Sequence, residues 1–181
     1  MNLAEKKAEL RKEYRWIREE RFDSKNSWEH VATCFEIAEA TYVASYISYG
    51  TEPRTDEINS ILFRDGKKVV IPRLLADKSL EWVIWNGDSS ELVTHGNIKE
   101  PVGPAIDPSL IDVAIVPALH IDRTGNRLGQ GGGSYDRALR SMRAWKIALV
   151  HIGEITSEPL PVNDDDQKVD AAATPELIVR F

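Results

Sequence analysis

A glycine-rich stretch decides how this chain folds: residues 127–135 have the sequence RLGQGGGSY, and Asp136 and Arg137 follow directly. The apolar segment 111–119 before it predicts a buried strand, and the spacing of apolar residues in 134–143 predicts a helix. Glycine lets the backbone between them adopt positive φ and lets a ligand approach the N–H groups closely. Because the start of a helix adds unpaired N–H donors and a partial positive charge, this arrangement favours phosphate.

The loop differs from two well-known nucleotide-binding motifs. It lacks the Gly-Lys-Ser/Thr ending of a P-loop, and it is not a dinucleotide-binding Gly-x-Gly-x-x-Gly with an acidic residue at the usual distance. Glycine content alone fits a phosphate loop and a plain flexible connection equally well. Two features favour phosphate: the consecutive glycines 131–133 are entropically costly in a connection, and Arg127 places a charged, forked donor at the entrance.

Apolar periodicity predicts the fold class. Strands and helices alternate in the second half of the chain, which indicates a parallel sheet. We therefore expect a single α/β domain over residues 1–181, Rossmann-like, with a central, mostly parallel sheet flanked by helices. The predicted helices are 3–22, 27–40, 55–64 and 134–143, the predicted strands are 42–49, 69–74, 80–85, 111–119, 146–152 and 177–179, and 87–110 is predicted to be mostly loop.

Composition limits the class of partner. The 181 residues include 23 Lys and Arg against 29 Asp and Glu, a formal net charge of −6, which disfavours nucleic-acid binding. Cys34 is the single cysteine and cannot form an internal disulfide, which fits a reducing cytoplasm. The charged N-terminal segment predicts no signal peptide, and no apolar run approaches the ~20 residues of a membrane helix. We expect a cytoplasmic monomer that binds neither membranes nor nucleic acid.

Charged residues follow several of the predicted strands. Ligands of parallel sheets gather at the carboxyl ends of the strands. The ends of three predicted strands carry Glu52, Arg73 and Arg127. A ligand site is therefore predicted at this edge of the sheet, although the pattern does not identify the ligand.

The chain resembles the 5-formyltetrahydrofolate cyclo-ligase (methenyltetrahydrofolate synthetase) family at the glycine loop. Arg-Leu-Gly-x-Gly-x-Gly-x-Tyr-Asp-Arg at 127–137, preceded by Asp122-Arg123-x-Gly125-Asn126, is similar to the long and specific signature of that family. Further landmarks resemble the family in the right order and span nearly the whole chain: Lys7-x-x-Leu10-Arg11, Ser48-x-x-x-Glu52-x-x-Thr55-x-Glu57-Ile58, Ile71-Pro72-Arg73, His95-Gly96-x-Ile98-x-Glu100-Pro101 and Pro161-Val162-Asn163-x-x-Asp166-x-x-Val169-Asp170.

The resemblance implies an ATP- and Mg²⁺-dependent ring closure of 5-formyltetrahydrofolate. In such a reaction the formyl oxygen attacks the γ-phosphate, N10 attacks the activated carbon, and loss of phosphate gives 5,10-methenyltetrahydrofolate. The protein would contribute positioning and charge stabilisation rather than a nucleophile. Two alternatives stay open: a family paralogue that acts on another substrate, and a non-catalytic protein that binds folate or nucleotide.

The resemblance also assigns residues to roles. Arg127 and Tyr135 are implied to be catalytic, although Tyr135 could act chemically or only pack. Asp136 and Asp166 are implied to bind Mg²⁺. The implied ATP-binding residues are Lys7, Arg11, Arg127, Leu128, Gly129, Gln130, Gly131, Gly132, Gly133, Ser134 and Tyr135. The implied binding residues for the reduced folate are Ile47, Glu52, Gln130, Gly131, Gly132, Gly133 and Ser134.

Three smaller expectations concern residues beside the motif. Arg15 and Arg18 continue the helical stripe of Lys7 and Arg11, and we expect them to be solvated and paired with glutamates of the same helix. His120 is predicted to be a structural histidine near the loop. Ser134 occupies a position where the family usually has tyrosine, so a stacking surface for the flat pterin ring is missing there.

Overall fold

The computed structural model of the protein describes residues 2–181, which form four α-helices, three 3-10 helices and thirteen strands. The α-helices are α1 (Leu3–Arg21), α2 (Phe35–Glu39), α3 (Asp56–Arg64) and α4 (Ser134–Arg140), and the 3-10 helices are Glu29–Thr33, Ser89–Glu91 and Pro108–Leu110. The strands are β1 (Tyr42–Ala44), β2 (Lys68–Leu74), β3 (Leu80–Ile84), β4 (Val93–His95), β5 (Ile98–Glu100), β6 (Ala105–Ile106), β7 (Val113–Pro117), β8 (His120–Asp122), β9 (Arg127–Leu128), β10 (Trp145–Leu149), β11 (Ile155–Thr156), β12 (Ala171–Ala173) and β13 (Ile178–Arg180).

Eight strands form one sheet in the order β13-β12-β10-β7-β1-β2-β3-β6. The strands β12, β10, β7, β1 and β2 are parallel to one another, and β13, β3 and β6 add antiparallel pairs at the two edges. Numbered by chain order, the five parallel strands are arranged 2-1-3-4-5, the doubly wound order of flavodoxin-like folds. This topology confirms the predicted α/β fold. The order reverses between β1 and β7, and such a switch is where ligands of these folds bind.

Two apolar clusters pack on opposite faces of this sheet. In β7, Ile115 packs into a cluster with Trp28 and Ile58, whereas its neighbour Val116 packs into a cluster with Leu139. Successive side chains of a strand point to opposite faces, and a strand that is apolar on both faces requires helices on both. Helix α3 covers one face, and α4 covers the other. Among residues 2–181, no helix combines the length and apolarity that a membrane crossing requires.

Several predicted element bounds are wrong. The segment 27–40 is not one helix, because Cys34 has an extended backbone (ψ 154°) that separates a 3-10 helix from α2. The hydroxyl of Thr33 donates to the carbonyl oxygen of His30 at 2.9 Å, a local bond that competes with helix continuation. Strand β1 ends at Ala44, five residues before the predicted end at Tyr49.

Strands at 93–95, 98–100 and 171–173 were not predicted. The first two form a hairpin inside the segment that was expected to be mostly loop. The third is a run of alanines that is fully buried between β10 and β13. Alanine is depleted in strands, so this run carries no β signal of its own.

Candidate active site

A cavity of about 850 Å³ opens at the carboxyl edge of the parallel strands, next to the ends of β1 and β7. Ile47 and Glu52, which follow β1, line one part of it, and Pro117 at the end of β7 lines another. All the residues to which the family resemblance assigns a role line this cavity: Lys7, Arg11, Ile47, Glu52, Arg127, Leu128, Gly129, Gln130, Gly131, Gly132, Gly133, Ser134, Tyr135, Asp136 and Asp166. Their individual roles stay predictions.

The backbone of the loop has positive φ at two glycines, Gly131 (φ +106°) and Gly133. Gly133 has φ +68° directly before α4, a left-handed conformation that residues with a Cβ rarely adopt. Gly129 lies against Arg127, and a Cβ at this position would be 2.7 Å from Nη1 of that arginine. The glycines therefore shape the turn, and they also leave room for the arginine side chain.

Arg127 is held rigidly at the mouth of the loop. Its Nη2 donates to Oδ1 of Asp136 at 2.9 Å, and its Nη1 donates to the carbonyl oxygen of Pro117 at 3.2 Å. Its Nε is buried and has no partner among the described residues. The guanidinium also lies 5.7 Å from the centre of the Tyr135 ring. A fixed, desolvated cation of this kind suits a phosphate.

Helix α1 carries cations along the opposite wall. Lys7 forms a buried ion pair with Asp166. One turn later, Nε of Arg11 donates to the carbonyl oxygen of Gly129 at 2.9 Å. Both cations thus line the cavity from a separate element, as the helical spacing of four residues predicts.

The expected pairing of the next two arginines of α1 with glutamates of the same helix is wrong. Arg15 is exposed, but it donates to the side chain and to the backbone carbonyl of Gln130, both at 2.8 Å. Arg18 is only 4% exposed and forms a bidentate ion pair with Glu154 at 2.7 and 2.6 Å. The partners lie more than 100 residues away along the chain, so pairing within the helix loses to tertiary contacts.

Glu52 is a buried carboxyl group that also lines the cavity. It is 9% exposed, and its Oε2 accepts a hydrogen bond from the backbone N–H of Tyr49 at 3.1 Å. Burial raises the pKa of Glu52 to about 7, against the smaller lowering effects of that hydrogen bond and of the Arg18 charge. The group therefore changes protonation near neutral pH.

Tyr135 packs at the base of the cavity. Its ring meets Trp82 edge-on at 6.4 Å between centroids. Burial, and to a lesser degree the charge of Glu52, raises the pKa of the Tyr135 hydroxyl, so the phenol stays neutral at physiological pH. The packing supports a structural contribution, and a chemical one stays a prediction.

Asp136 and Asp166 are the predicted metal ligands, and each already contacts a cation. One oxygen of Asp136 accepts from Arg127 and, at 3.2 Å, from the N–H of Gln167. One oxygen of Asp166 accepts from Lys7 and, at 2.7 Å, from the N–H of Asn163. The second oxygen of each carboxylate accepts no hydrogen bond from residues 2–181. Within that range no group of three or more His, Cys, Asp or Glu side chains forms a metal cage. Two carboxylates with free oxygens fit a Mg²⁺ ion that is completed by phosphate and water.

Other predictions about polar residues have mixed outcomes. Arg73 does not line the cavity, because it faces the neighbouring strand, where its Nε donates to Glu81 at 2.6 Å. His120 is a structural histidine as predicted: it is buried, stacks on Tyr14 at 3.5 Å between centroids, and contacts its neighbouring backbone carbonyl. Asp165 pairs with Arg140 at 2.6 Å and is largely exposed.

An apolar wall also lines the cavity. It is formed by Ile71, Pro72, Leu74, Leu80 and Ile98. Three of them lie in landmarks of the resemblance, but no pattern pointed to the two leucines. They become neighbours through the antiparallel pairing of β2 with β3, in which Leu74 lies opposite Leu80.

Comparison with known proteins decides the family. A model described as the 5-formyltetrahydrofolate cyclo-ligase family matches residues 2–175. The chain belongs to this family. The cyclo-ligase of Escherichia coli (strain K12) is 31% identical over 150 residues, which cover 78% of this chain and 82% of that protein. The cyclo-ligase of Mycolicibacterium smegmatis is 31% identical over 144 residues, which cover 74% and 73%.

Solved structures agree with the fold. The Aquifex aeolicus 5,10-methenyltetrahydrofolate synthetase matches with a TM-score of 0.80 and 25% identity, over 96% of this chain and 92% of that chain. The Mycoplasma pneumoniae enzyme of the same name matches with a TM-score of 0.70 and 19% identity, over 92% and 96%, which shows the shared fold. The cyclo-ligase family converts 5-formyltetrahydrofolate to methenyltetrahydrofolate, and the protein is an enzyme of this class. This confirms the resemblance seen in the sequence.

Proposed function

We propose that this cyclo-ligase uses ATP and Mg²⁺ to close 5-formyltetrahydrofolate to 5,10-methenyltetrahydrofolate and releases ADP and phosphate. The observation that carries the proposal is that one cavity has two chemically different kinds of lining. Its cationic lining consists of glycine backbone with Lys7, Arg11 and Arg127, and its apolar lining is joined by the buried carboxyl of Glu52.

The cationic lining of the cavity binds the triphosphate. Arg127 binds from the side of the sheet, and Lys7 and Arg11 bind from α1, so the phosphates are neutralised from two elements. Charge-assisted hydrogen bonds of this kind are about twice as strong as neutral ones. The segment from Leu128 to Tyr135 lines the same cavity, and its glycines let the phosphates approach the backbone closely because they carry no side chain.

The apolar lining of the cavity binds the reduced folate. Leu74, Leu80 and Ile98 offer surface for its rings, and Ile47 lies beside Glu52 on the segment that follows β1. With a pKa of about 7, Glu52 is able to donate or accept a hydrogen bond at the pterin edge. In this role Glu52 orients the pterin so that its formyl group points toward the ATP.

Asp136 and Asp166 would hold the magnesium ion through their free oxygens, together with phosphate oxygens. When bound, Mg²⁺ supplies positive charge that stabilises the triphosphate and the developing charge on the transferred group. The ion pairs with Arg127 and Lys7 orient the two carboxylates before the nucleotide arrives.

The reaction proceeds in two displacements. The formyl oxygen attacks the γ-phosphorus, the bond between this phosphorus and the β–γ bridging oxygen breaks, and ADP leaves. N10 then attacks the activated formyl carbon and loses its proton, and the carbon–oxygen bond breaks as inorganic phosphate leaves. Both steps depend on the alignment of reacting atoms and on charge stabilisation, which Arg127 and the cations of α1 provide.

The cavity belongs to one catalytic domain in this proposal. We infer that residues 1–181 act together as a cytoplasmic monomer on small-molecule substrates. A single family model spans residues 2–175, and one sheet includes strands from both halves of the chain. Light scattering after size exclusion tests this, because a mass of two chains would contradict it.

A single assay tests the proposed reaction. Purified protein, MgATP and 5-formyltetrahydrofolate should give a rise in near-ultraviolet absorbance from methenyltetrahydrofolate, with one ADP formed per product. The rise should vanish when ATP is omitted or when a chelator removes the metal. Folded protein that binds ATP and gives no product would contradict the proposal and favour a different substrate. The observation that supports this alternative is Ser134, which stands where tyrosine is expected from the family resemblance.

A further inference from the structure

Helix α1 is attached to the protein largely through charged side chains. Its fully buried residues are Lys7 and Arg18, whereas its apolar residues Leu10, Tyr14 and Ile17 are only half-buried. A buried charge is costly unless it is paired and hydrogen-bonded. The partners of these two cations therefore decide where the helix lies.

Arg18 makes the denser set of contacts. Its Nε and Nη2 donate to the two oxygens of Glu154 at 2.7 and 2.6 Å. Its Nη2 also donates to the carbonyl oxygens of Ala118 at 2.6 Å and Leu119 at 3.3 Å. Ala118 follows β7 directly, and Glu154 ends the turn that follows β10, so one guanidinium joins the carboxyl ends of two adjacent parallel strands.

The segment that Arg18 holds also supports the predicted phosphate ligand. The carbonyl of Pro117 accepts from Nη1 of Arg127 at 3.2 Å, and the N–H of Leu119 donates to the carbonyl of Leu128 at 2.8 Å. The backbone positions on either side of Ala118 thus anchor the start of the glycine loop. On the other side, the same helix carries Lys7 and Arg11 two to three turns before Arg18.

We propose that Arg18, paired with Glu154, is a positioning residue of the cyclo-ligase reaction. It fixes α1 against the ends of β7 and β10, so that the cations of the helix and Arg127 converge on the same phosphates. Only the arginine fork has the donors for both carboxylate oxygens and the two strand-end carbonyls, which a lysine ammonium cannot match in geometry. This role rests on the proposed function, because it presumes that those cations bind ATP.

The test separates positioning from plain stability. Arg18→Met leaves Glu154 buried without its cation and should lower both the stability and the activity. The double variant Arg18→Met with Glu154→Met replaces the pair by apolar groups, which often restores stability. Its unfolding free energy should return close to that of the wild type, while kcat/KM for ATP stays roughly 100-fold lower, because small displacements of catalytic groups are costly. If kcat/KM of the double variant lay within about threefold of the wild-type value, the Arg18–Glu154 pair would have a structural role only.

A second variant decides the question if the double variant does not fold. Arg18→Lys keeps the charge beside Glu154 and loses the fork, so the protein should fold while kcat/KM for ATP falls at least about tenfold. An unchanged kcat/KM in this variant would overturn the role. The matched control is Arg21→Met with Glu158→Met, which removes one exposed cation of the same helix and one exposed carboxylate near Glu154, and should change neither readout.

The wild type reports on the proposed function separately. Folded wild-type protein without turnover would refute the proposed reaction. The affinity for a non-hydrolysable ATP analogue would then still test Arg18, because the positioning role requires this affinity to fall in Arg18→Lys and to stay constant in the exposed control.

Discussion

Arg127 and Asp136 form an ion pair, with 2.9 Å between Nη2 and Oδ1. The predicted phosphate ligand and the predicted metal ligand therefore neutralise each other before any nucleotide binds. The arginine side chain is 3% exposed and the aspartate 21%, so the pair is only partly screened by solvent. Binding of MgATP would let both charges act on the nucleotide while they stay in contact.

Replacing Asp136 by asparagine should abolish turnover with little loss of stability. The change keeps the size of the side chain and an oxygen that accepts from Arg127, but it removes the charge that a metal ligand needs. Calorimetric titration of an ATP analogue should show that Mg²⁺ strengthens binding in the wild type and has little effect in the variant. Without Mg²⁺, the variant should bind the analogue at least as well as the wild type, because Arg127 is less neutralised.

Asp164 provides the control for the metal prediction. Its side chain is exposed and does not line the cavity, although it lies two residues from Asp166. Asp164→Asn should leave the Mg²⁺ dependence unchanged, and Asp166→Asn should weaken it. If Asp164 proved as sensitive as Asp136 and Asp166 proved indifferent, the assignment within the acidic segment would be wrong.

Replacing Arg127 by alanine should weaken the binding of ATP far more than the binding of folate. The variant loses a charge-assisted donor that contributes roughly 1.5–3 kcal/mol, which corresponds to about a ten- to hundredfold loss of affinity. Lys7→Ala and Arg11→Ala, which remove cations of α1, should weaken the binding of ATP less. Titration with a non-hydrolysable analogue measures each loss. The control is Arg123→Ala, an exposed arginine of the preceding turn that does not line the cavity, and a loss there equal to that of Arg127 would indicate diffuse attraction instead of a shaped site.

The loop and the sheet were predictable because their determinants are local. Positive φ at Gly131 and Gly133 is a constraint that glycine meets without strain, and both residues lie in one short stretch of the sequence. Four of the five parallel strands could be identified from their continuous apolar runs, because both faces of the sheet are covered; the alanine strand β12 could not. These features correctly predicted a cavity at the carboxyl edge of the parallel strands.

The partners of the α1 arginines were not predictable from local pattern. Arg15 has Glu19 four residues later on the same helix, whereas no glutamate lies three or four residues from Arg18. The actual partner of Arg18, Glu154, lies 136 residues away and becomes a neighbour only after β7 and β10 pair. Leu74 and Leu80 are close in the sequence and belong to predicted strands, but no motif marked either leucine as a residue of the site.

Glu52 should make the stability of the ligand-free protein depend on pH. Burial raises its pKa from the ordinary 4.5 to about 7, so the folded protein binds this proton more tightly than the unfolded chain does. The stabilising contribution of the neutral form is therefore present below about pH 4.5 and is lost as the pH rises through about 7. For a carboxyl that is 9% exposed, this difference corresponds to roughly 3 kcal/mol.

Glu52→Gln should remove this pH dependence, because the amide resembles the neutral acid and still accepts from the N–H of Tyr49. Chemical denaturation at pH 5 and pH 8 gives, for each protein, the change in unfolding free energy between the two pH values. The effect of Glu52 is this change in the wild type minus the same change in the variant. Glu20→Gln, an exposed residue of α1, should behave like the wild type. If Glu52→Gln lost as much stability between these pH values as the wild type, Glu52 would not be the group responsible.

Ser134 occupies the first position of α4, where it is half-buried and lines the cavity. The family usually has tyrosine at this position, next to the residue equivalent to Tyr135. A larger side chain here extends into a cavity of about 850 Å³ and not into the close-packed core. The site therefore has room for an aromatic ring, although extra volume is destabilising where neighbours cannot move.

Ser134→Tyr should lower the KM for 5-formyltetrahydrofolate and leave the KM for ATP nearly unchanged. The added ring offers a stacking surface for the pterin, and an aromatic contact contributes roughly 0.5–1.5 kcal/mol, so the KM should fall about two- to tenfold. Ser134→Leu is the matched control, because it adds apolar volume without an aromatic face and should give a smaller gain. Steady-state kinetics with each substrate varied in turn distinguish the cases. A lower kcat in both variants would mean that the cavity has repacked around serine, whereas cyclo-ligase turnover in Ser134→Tyr alone would show that the natural chain has a different substrate.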